Sequence, residues 1–241
     1  MITINNNMYV HDTDNTSDAF AVLGSGQLEH LYYGRKLHAN EAVMTEKHTF
    51  IPGNTNVYNK DYSSYSLEDV CLEMSSLGKG DIREPFIEVT YPNGSSTTDM
   101  VFDRAEIIQG KEEYDTLPGS YDDNGEVEQL VIYLKDRNYN LTLELHYYVY
   151  EKCDIITRSA KLVNSGNESV RLERLMSMQL DLNESDYELS FFNGAWAREM
   201  NRSRIPIRAG KYVNESVTGT SSNRANPFFM IGRSSTTEDY G

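Results

Sequence analysis

The stretch Leu141–Tyr150, LTLELHYYVY, decides the fold class of this chain. Every second residue from Leu141 to Val149 is aliphatic or aromatic, whereas the residues between them carry hydroxyl, carboxyl or imidazole groups. Because successive side chains of a strand point to opposite faces, this alternation predicts a β-strand with two differently covered faces. The rest of the chain is interpreted outward from that strand.

Similar short segments lie on both sides of this strand and are separated by turn-forming residues. The sequences PNGSSTTD and NSGNES are interpreted as hairpin turns, the first between Phe86–Tyr91 and Met100–Ile108 and the second between Asp154–Val163 and Val170–Leu182. Sustained helical periodicity is missing, although the spacing within Leu67–Met74 allows either one short helix or an extended segment. The sequence therefore predicts an all-β fold, an antiparallel β-sandwich.

Charge and composition exclude some classes of partner. The 241 residues carry a formal net charge of -15, which argues against binding to nucleic acid or to an anionic membrane surface. A neutral polar ligand fits better. The sequence has no apolar run as long as a membrane span and no export signal, so we expect a soluble, cytoplasmic protein.

Cysteine and asparagine usage leads to two further expectations. The two cysteines, Cys71 and Cys153, are expected to be free and mostly buried thiols. Six of the chain's N-x-S/T triplets are interpreted as turn chemistry rather than as glycan sites. These triplets begin at Asn15, Asn93, Asn140, Asn167, Asn183 and Asn214.

Motifs that carry catalysis on their own are missing. The sequence has no H-E-x-x-H, C-x-x-C, P-loop, G-x-S-x-G or G-x-G-x-x-G motif. The histidines are scattered singly, so each is interpreted as structural or exposed rather than as a metal ligand. They are His11, His30, His38, His48 and His146. We therefore expect no metal site and no organic cofactor.

The only tryptophan lies in the stretch FFNGAWARE, which ends at Glu199. Asn193 and Gly194 are turn formers, and this predicts that the strand ends there and that Ala195, Trp196 and Arg198 lie at a strand tip or in a loop. There the indole can stack on a ring-shaped ligand while the guanidinium binds its polar edge. The alternatives are that Trp196 plugs one end of the sandwich core, and that Arg198, like Arg83 beside Asp81, forms a structural ion pair.

Several stretches together resemble the N-terminal domain of family 36 α-galactosidases. They are LYYGRKL, SSLGKGDIREP, YEKCDIITRSAKLVNSG, LMSMQLDL, DYELSFFNGAWARE and SSNRANPFFMI. The resemblance implies a β-supersandwich, a two-sheet sandwich like that of galactose mutarotase, extending over residues 1–241. It also implies that a (β/α)8 barrel with the nucleophile and the general acid/base of a retaining mechanism lies beyond this fragment. We expect no catalytic residue in the chain itself, and its ending at SSTTEDYG resembles a cut.

The resemblance also implies a role for the domain. It would shape the galactose pocket of an enzyme that cleaves melibiose or raffinose-type sugars, in its own subunit or in a neighbour of a tetramer. Trp196 and Arg198 would contact the sugar. A loop aspartate of the family is replaced by Lys47, so either Glu46 takes over that contact or the contact is missing. The alternative function is a stand-alone carbohydrate-binding or interaction sandwich without a catalytic partner.

Overall fold

The structure is a computed structural model that describes residues 1–38, 57–63, 66–182, 186–220 and 223–237. Most of the regular secondary structure in these residues is β-strand. The strands are β1 (Ile2–Asn5), β2 (Met8–Asp12), β3 (Thr16–Val22), β4 (Leu28–Arg35), β5 (Ile87–Thr90), β6 (Met100–Gln109), β7 (Glu128–Asp136), β8 (Leu141–Tyr150), β9 (Ile155–Asn164), β10 (Arg171–Leu175), β11 (Glu188–Ala195), β12 (Arg198–Pro206) and β13 (Ala225–Gly232). Three short 3-10 helices cover Lys60–Tyr62, Leu67–Asp69 and Glu151–Cys153. The segment Leu67–Met74 thus begins with one tight turn and continues without a longer helix.

The chain divides into two units, Met1–Asp181 and Leu182–Gly241, called here unit 1 and unit 2. Unit 1 contains two four-stranded antiparallel sheets, β1-β2-β3-β4 and β6-β7-β8-β9, together with the pair β5-β10. Unit 2 contains the three-stranded sheet β12-β11-β13, in which β11 is the central strand. The predicted all-β, antiparallel sandwich is confirmed.

One hydrophobic core joins the sheets of unit 1. The apolar face of β8 packs into it as the alternation predicts, with Leu143 fully buried. Phe20 of β3 and Ile87 of β5 are also fully buried in the same cluster. Each such side chain contributes about 1.5 to 3 kcal/mol when it is removed from water, so this shared core stabilises unit 1.

Both hairpin predictions are wrong. PNGSSTTD joins β5 to β6, but β5 pairs with β10 and β6 pairs with β7. NSGNES joins β9 to β10, yet β9 pairs with β8. In both places the chain crosses from one sheet of the sandwich to another, because a turn sequence marks a reversal of direction but does not choose the next pairing partner.

The cysteine prediction is partly wrong. Neither thiol forms a disulfide with another described residue, but Cys71 is only half-buried and Cys153 is exposed. Cys153 lies in the short helical connection between β8 and β9, which runs over the surface. Among the described residues, no helix is both long and apolar enough to cross a membrane.

Candidate functional site

Trp196 lies at the tip of a β-hairpin in unit 2. β11 extends to Ala195 and β12 begins at Arg198, which leaves Trp196 and Ala197 as a two-residue turn. The prediction that the strand ends at Asn193-Gly194 was therefore too early by two residues. Gly194 serves close packing instead, since a Cβ there would lie 2.6 Å from the Arg198 carbonyl oxygen and 2.9 Å from that of Asn223.

Two side chains of β12 hold this turn. The backbone N–H of Ala197 donates to Glu199 Oε1 at 2.8 Å, and Asn201 Nδ2 donates to the Arg198 carbonyl oxygen at 2.7 Å. Ala197 has a φ of 58°, in the left-handed region that costs a non-glycine residue about 1 to 2 kcal/mol. The charge-assisted hydrogen bond to Glu199 stabilises that conformation.

The indole of Trp196 is 89% exposed, so it does not plug the core. A large aromatic side chain that is exposed on a braced turn offers a flat apolar surface with one N–H donor. Such a surface suits a ligand that has an apolar face and a polar edge. The prediction that Trp196 lies at a loop tip is confirmed by its position, while its contact with a ligand stays a prediction.

The two arginines singled out in the sequence differ. Arg83 is a structural residue, with Nε donating to Asp81 Oδ1 at 2.8 Å and Nη1 paired with Asp181. The exposed Arg198 side chain has neither a hydrogen bond nor an ion pair with any residue in the described part of the chain. The structural ion pair predicted for Arg83 is thus confirmed, whereas the one predicted for Arg198 is not found among the described residues. Glu46, the third predicted contact, lies outside the described residues.

A buried ionic network in unit 1 was missed by the sequence reasoning. Arg158 Nη2 lies 2.6 Å from Asp18 Oδ2, and its Nη1 lies 2.9 Å from Glu73 Oε2. His30 Nδ1 lies 2.6 Å from Glu73 Oε1, and Tyr147 Oη donates to Glu73 Oε2 at 2.9 Å. The network connects β3 and β4 of one sheet with β8 and β9 of the other. Arg158 stands in the motif E-K-x-x-I-I-T-R-S-A, which was its only sequence signal.

The charged groups of this network stabilise one another's charged forms. Burial alone would raise the pKa of Asp18, but the hydrogen bond from His11 and the charge of Arg158 lower it to about 2. For His30, burial opposes the charged form, yet the Glu73 carboxylate outweighs it and raises the pKa. Burial and the Glu73 charge raise the pKa of Tyr147, so its phenol stays a hydrogen-bond donor. The network therefore holds its charges through mutual pairing.

Asp18, His30 and Glu73 also place their ligand atoms within 4.8 Å of one another, which is close enough to hold a metal ion. Arg158 already donates to Glu73 Oε2 and to Asp18 Oδ2, so its positive charge offsets the charge of both carboxylates. The arrangement fits a structural ion network. The histidines of this network, His11 and His30, are buried and paired, as their structural interpretation requires.

A model of the glycosyl hydrolase family 36 N-terminal domain matches residues 26–241 of this chain. The chain belongs to that family. The matched range includes the Trp196 hairpin of unit 2 and Arg158 of the buried network. The resemblance seen in the sequence motifs is therefore confirmed.

Known relatives of this family 36 domain are α-galactosidases. Over 223 residues it is 34% identical to the α-galactosidase AgaA of Geobacillus stearothermophilus, covering 90% of this chain and 30% of that protein. The crystal structure of the α-galactosidase from Lactobacillus brevis superposes with a TM-score of 0.90 at 33% identity, covering 97% of this chain and 32% of that one. AgaA crystallised in complex with raffinose gives a TM-score of 0.87 at 30% identity, over 95% of this chain and 32% of AgaA. The family 36 domain thus spans about a third of its relatives' length.

Proposed function

We propose that this family 36 domain is the non-catalytic N-terminal part of a retaining α-galactosidase that hydrolyses terminal α-galactosyl residues of melibiose and raffinose-type sugars. The proposal is supported by its match to the N-terminal domain of a family whose relatives are α-galactosidases. The catalytic aspartates would lie in the further two thirds of such an enzyme. The residues of this chain would bind and orient the sugar. Units 1 and 2 would belong to one N-terminal domain.

The observation that carries the proposal is the exposed Trp196 on its braced turn. Its indole would pack against the apolar face of the galactosyl ring, on its own subunit or on a neighbouring one. Arg198 would donate to sugar hydroxyl oxygens from the same turn, since its side chain has no other partner among the described residues. These contacts would fix the position of the glycosidic bond relative to carboxylates elsewhere in the enzyme.

Glu46 is proposed to accept a hydrogen bond from a sugar hydroxyl, in the role that the family gives to a loop aspartate. Lys47 cannot take this role, because an ammonium group has no acceptor. A Glu46→Ala variant of the proposed enzyme, which lacks the acceptor, should raise KM for melibiose, whereas Lys47→Met should leave KM unchanged.

A cytoplasmic, oligomeric enzyme is also proposed. Neither cysteine forms a disulfide with another described residue, which fits a reducing compartment. In unit 2, Phe229 is 51% exposed and Ile231 is 40% exposed, and apolar side chains of this size are commonly covered by another protein surface. A homo-oligomer, such as a tetramer, would provide that surface.

The Trp196→Ala variant tests the main proposal. In the enzyme that contains this domain, kcat/KM for raffinose should fall about tenfold or more, because stacking and burial of an aromatic side chain contribute at least about 1.4 kcal/mol. The melting temperature should stay unchanged because the side chain is exposed. Unchanged kinetics would contradict the role of Trp196.

The chain alone separates the proposed function from its alternative. Release of galactose from a synthetic α-galactoside by this chain would contradict a non-catalytic role. Strong binding of melibiose by the chain alone, in a protein without any galactosidase activity, would instead establish a stand-alone carbohydrate-binding sandwich.

A further inference from the structure

A polar cavity lies in unit 1, where the β5–β6, β7–β8 and β9–β10 connections meet. Its volume is about 210 Å³, enough for a single sugar ring and smaller than the ~300 to 1,000 Å³ that is typical of sites for drug-sized ligands. It is lined by Tyr91, Pro92, Asn138, Tyr139, Asn140, Leu141, Asn164, Gly166, Asn167, Glu168 and Val170. The β7–β8 and β9–β10 connections supply most of this lining.

Exposed carboxamide groups of three asparagines line this cavity. The side chains of Asn138, Asn140 and Asn167 make no hydrogen bond within the part of the chain that the structure describes. By contrast, Asn164 is used within its own turn, where Nδ2 donates to the Glu168 carbonyl oxygen at 2.9 Å. Asn140 and Asn167 each begin an N-x-S/T triplet that was interpreted as turn chemistry, but their side chains make no turn hydrogen bond among the described residues.

A buried carboxylate fixes the shape of the cavity. Asp136 Oδ1 accepts from the backbone N–H of Asn138 at 2.8 Å and from that of Tyr139 at 3.0 Å. The Tyr139 ring stacks on Tyr91 with centroids 3.5 Å apart, and Asn93 Nδ2 donates to Tyr139 Oη at 3.1 Å. The Tyr139 ring and the backbone of Asn138 and Tyr139 are therefore held in place before any ligand binds, which lowers the entropic cost of binding.

We propose that this cavity binds one neutral hexopyranose unit of a saccharide. A carboxamide both donates and accepts hydrogen bonds, which matches sugar hydroxyls, and an aromatic side chain suits the apolar face of a sugar ring. Glu168 adds an acceptor, and no lysine or arginine is among the described residues that line the cavity. With a net charge of -15 on the chain, these features disfavour an anionic sugar. The site would bind sugar whether or not Trp196 does.

The test is a titration of the ¹⁵N-labelled chain with raffinose, followed by NMR. We expect the side-chain amide signals of Asn138, Asn140 and Asn167 to shift with a millimolar Kd. The double variant Asn140→Ala/Asn167→Ala should weaken this binding about tenfold or more, since each lost hydrogen bond contributes about 0.5 to 1.5 kcal/mol. The exposed residue Asn124 supplies the matched control, and Asn124→Ala should bind as tightly as the parent chain.

Two further measurements separate this site from the Trp196 turn. The Trp196→Ala variant should retain the asparagine shifts, and fluorescence of the single tryptophan should report any binding at the turn separately. Galacturonate, an anionic sugar, should bind more weakly than galactose. Equal binding of the two sugars, unshifted asparagine amides at saturating raffinose, or full affinity in the double variant of a correctly folded chain would each overturn the proposal.

Discussion

The two units of this chain differ in the burial of their large apolar side chains. In unit 1, Phe20 and Leu143 are fully buried in one core between sheets, and a buried ionic network connects the same sheets. In unit 2, the described residues that are buried are Ser190, Phe191 and Phe192, all on β11, whereas Phe229 on the neighbouring β13 is 51% exposed. The large apolar side chains of unit 1 therefore stabilise a core, whereas those of β13 in unit 2 lie at the surface of the chain.

The largest effect is expected from the buried network of unit 1. Arg158→Met would leave the carboxylates of Asp18 and Glu73 buried without their cation, at a cost of about 3 to 5 kcal/mol in the free energy of unfolding. Arg202 of β12 is exposed and has no partner among the described residues, so Arg202→Met should change stability by less than about 0.5 kcal/mol. Denaturation with urea measures both values, and similar losses in the two variants would erase the contrast between the units.

Truncation of apolar side chains should give the same contrast on a smaller scale. Leu143→Ala removes a fully buried side chain and should cost about 3 kcal/mol. Phe229→Ala removes a half-exposed side chain and should cost less than about 1 kcal/mol in this chain. A large loss for Phe229→Ala in urea denaturation would show that the sheet of unit 2 is essential to the stability of the domain.

The pH dependence of stability should come from unit 1. The folded pKa of Asp18 is about 2, below the unfolded value of about 3.9, so its stabilisation, on the order of 2 to 3 kcal/mol, is present above about pH 4 and lost as the pH falls towards 2. The pKa of His30 is raised, so its stabilisation is present below about pH 6.5 and lost as the pH rises through the folded pKa. The two effects predict a stability maximum between about pH 4 and 6.5.

Melting temperatures across this pH range check the prediction, and a variant isolates its alkaline arm. His30→Gln should melt at a lower temperature near pH 5 and lose less stability on going to pH 8 than the parent chain does. An unchanged alkaline slope in His30→Gln would assign that slope to another group.

Much of the fold could be predicted because it depends on local patterns. The alternation in Leu141–Tyr150 predicted both the strand and its buried face. Sheet membership could not be predicted, because PNGSSTTD and NSGNES show where the chain reverses but say nothing about which distant strand pairs next. Gly194 was misinterpreted for a similar reason, since its role is a close approach to Asn223 that no local pattern encodes.

The site was only partly predictable. Trp196 stood out because it is the single tryptophan and follows turn formers. Asp18, Glu73 and Arg158 did not stand out, because their relation exists only after strands far apart in sequence are brought together. A buried charge cluster that joins two sheets leaves no spacing motif in the sequence, and Arg158 was not singled out although it stands within a stretch that resembles the family.

The smallest expected effect concerns the Trp196 turn, where order can change without a change in global stability. Glu199→Ala removes the acceptor that holds the Ala197 N–H, so the left-handed turn should become more mobile. Fluorescence anisotropy of the single tryptophan should fall, while the free energy of unfolding changes by less than about 1 kcal/mol because the bond lies on the surface. Glu199→Gln retains an acceptor oxygen at the same position and should restore most of the anisotropy.

The comparison of these two variants decides whether unit 2 presents Trp196 rigidly or merely exposes it. If the hydrogen bond to Glu199 orders the turn, Glu199→Ala should also raise KM for raffinose in the proposed full-length α-galactosidase. The change in kcat should be smaller. The reason is that a mobile indole spends less time in the orientation that stacks on the sugar. Equal anisotropy in the parent chain and in Glu199→Ala would mean that the register of β11 with β12 alone fixes the indole. In that case the orientation of Trp196 in unit 2 would be set by the backbone pairing of β11 with β12, whereas the side chains of unit 1 are held by their packing in its core.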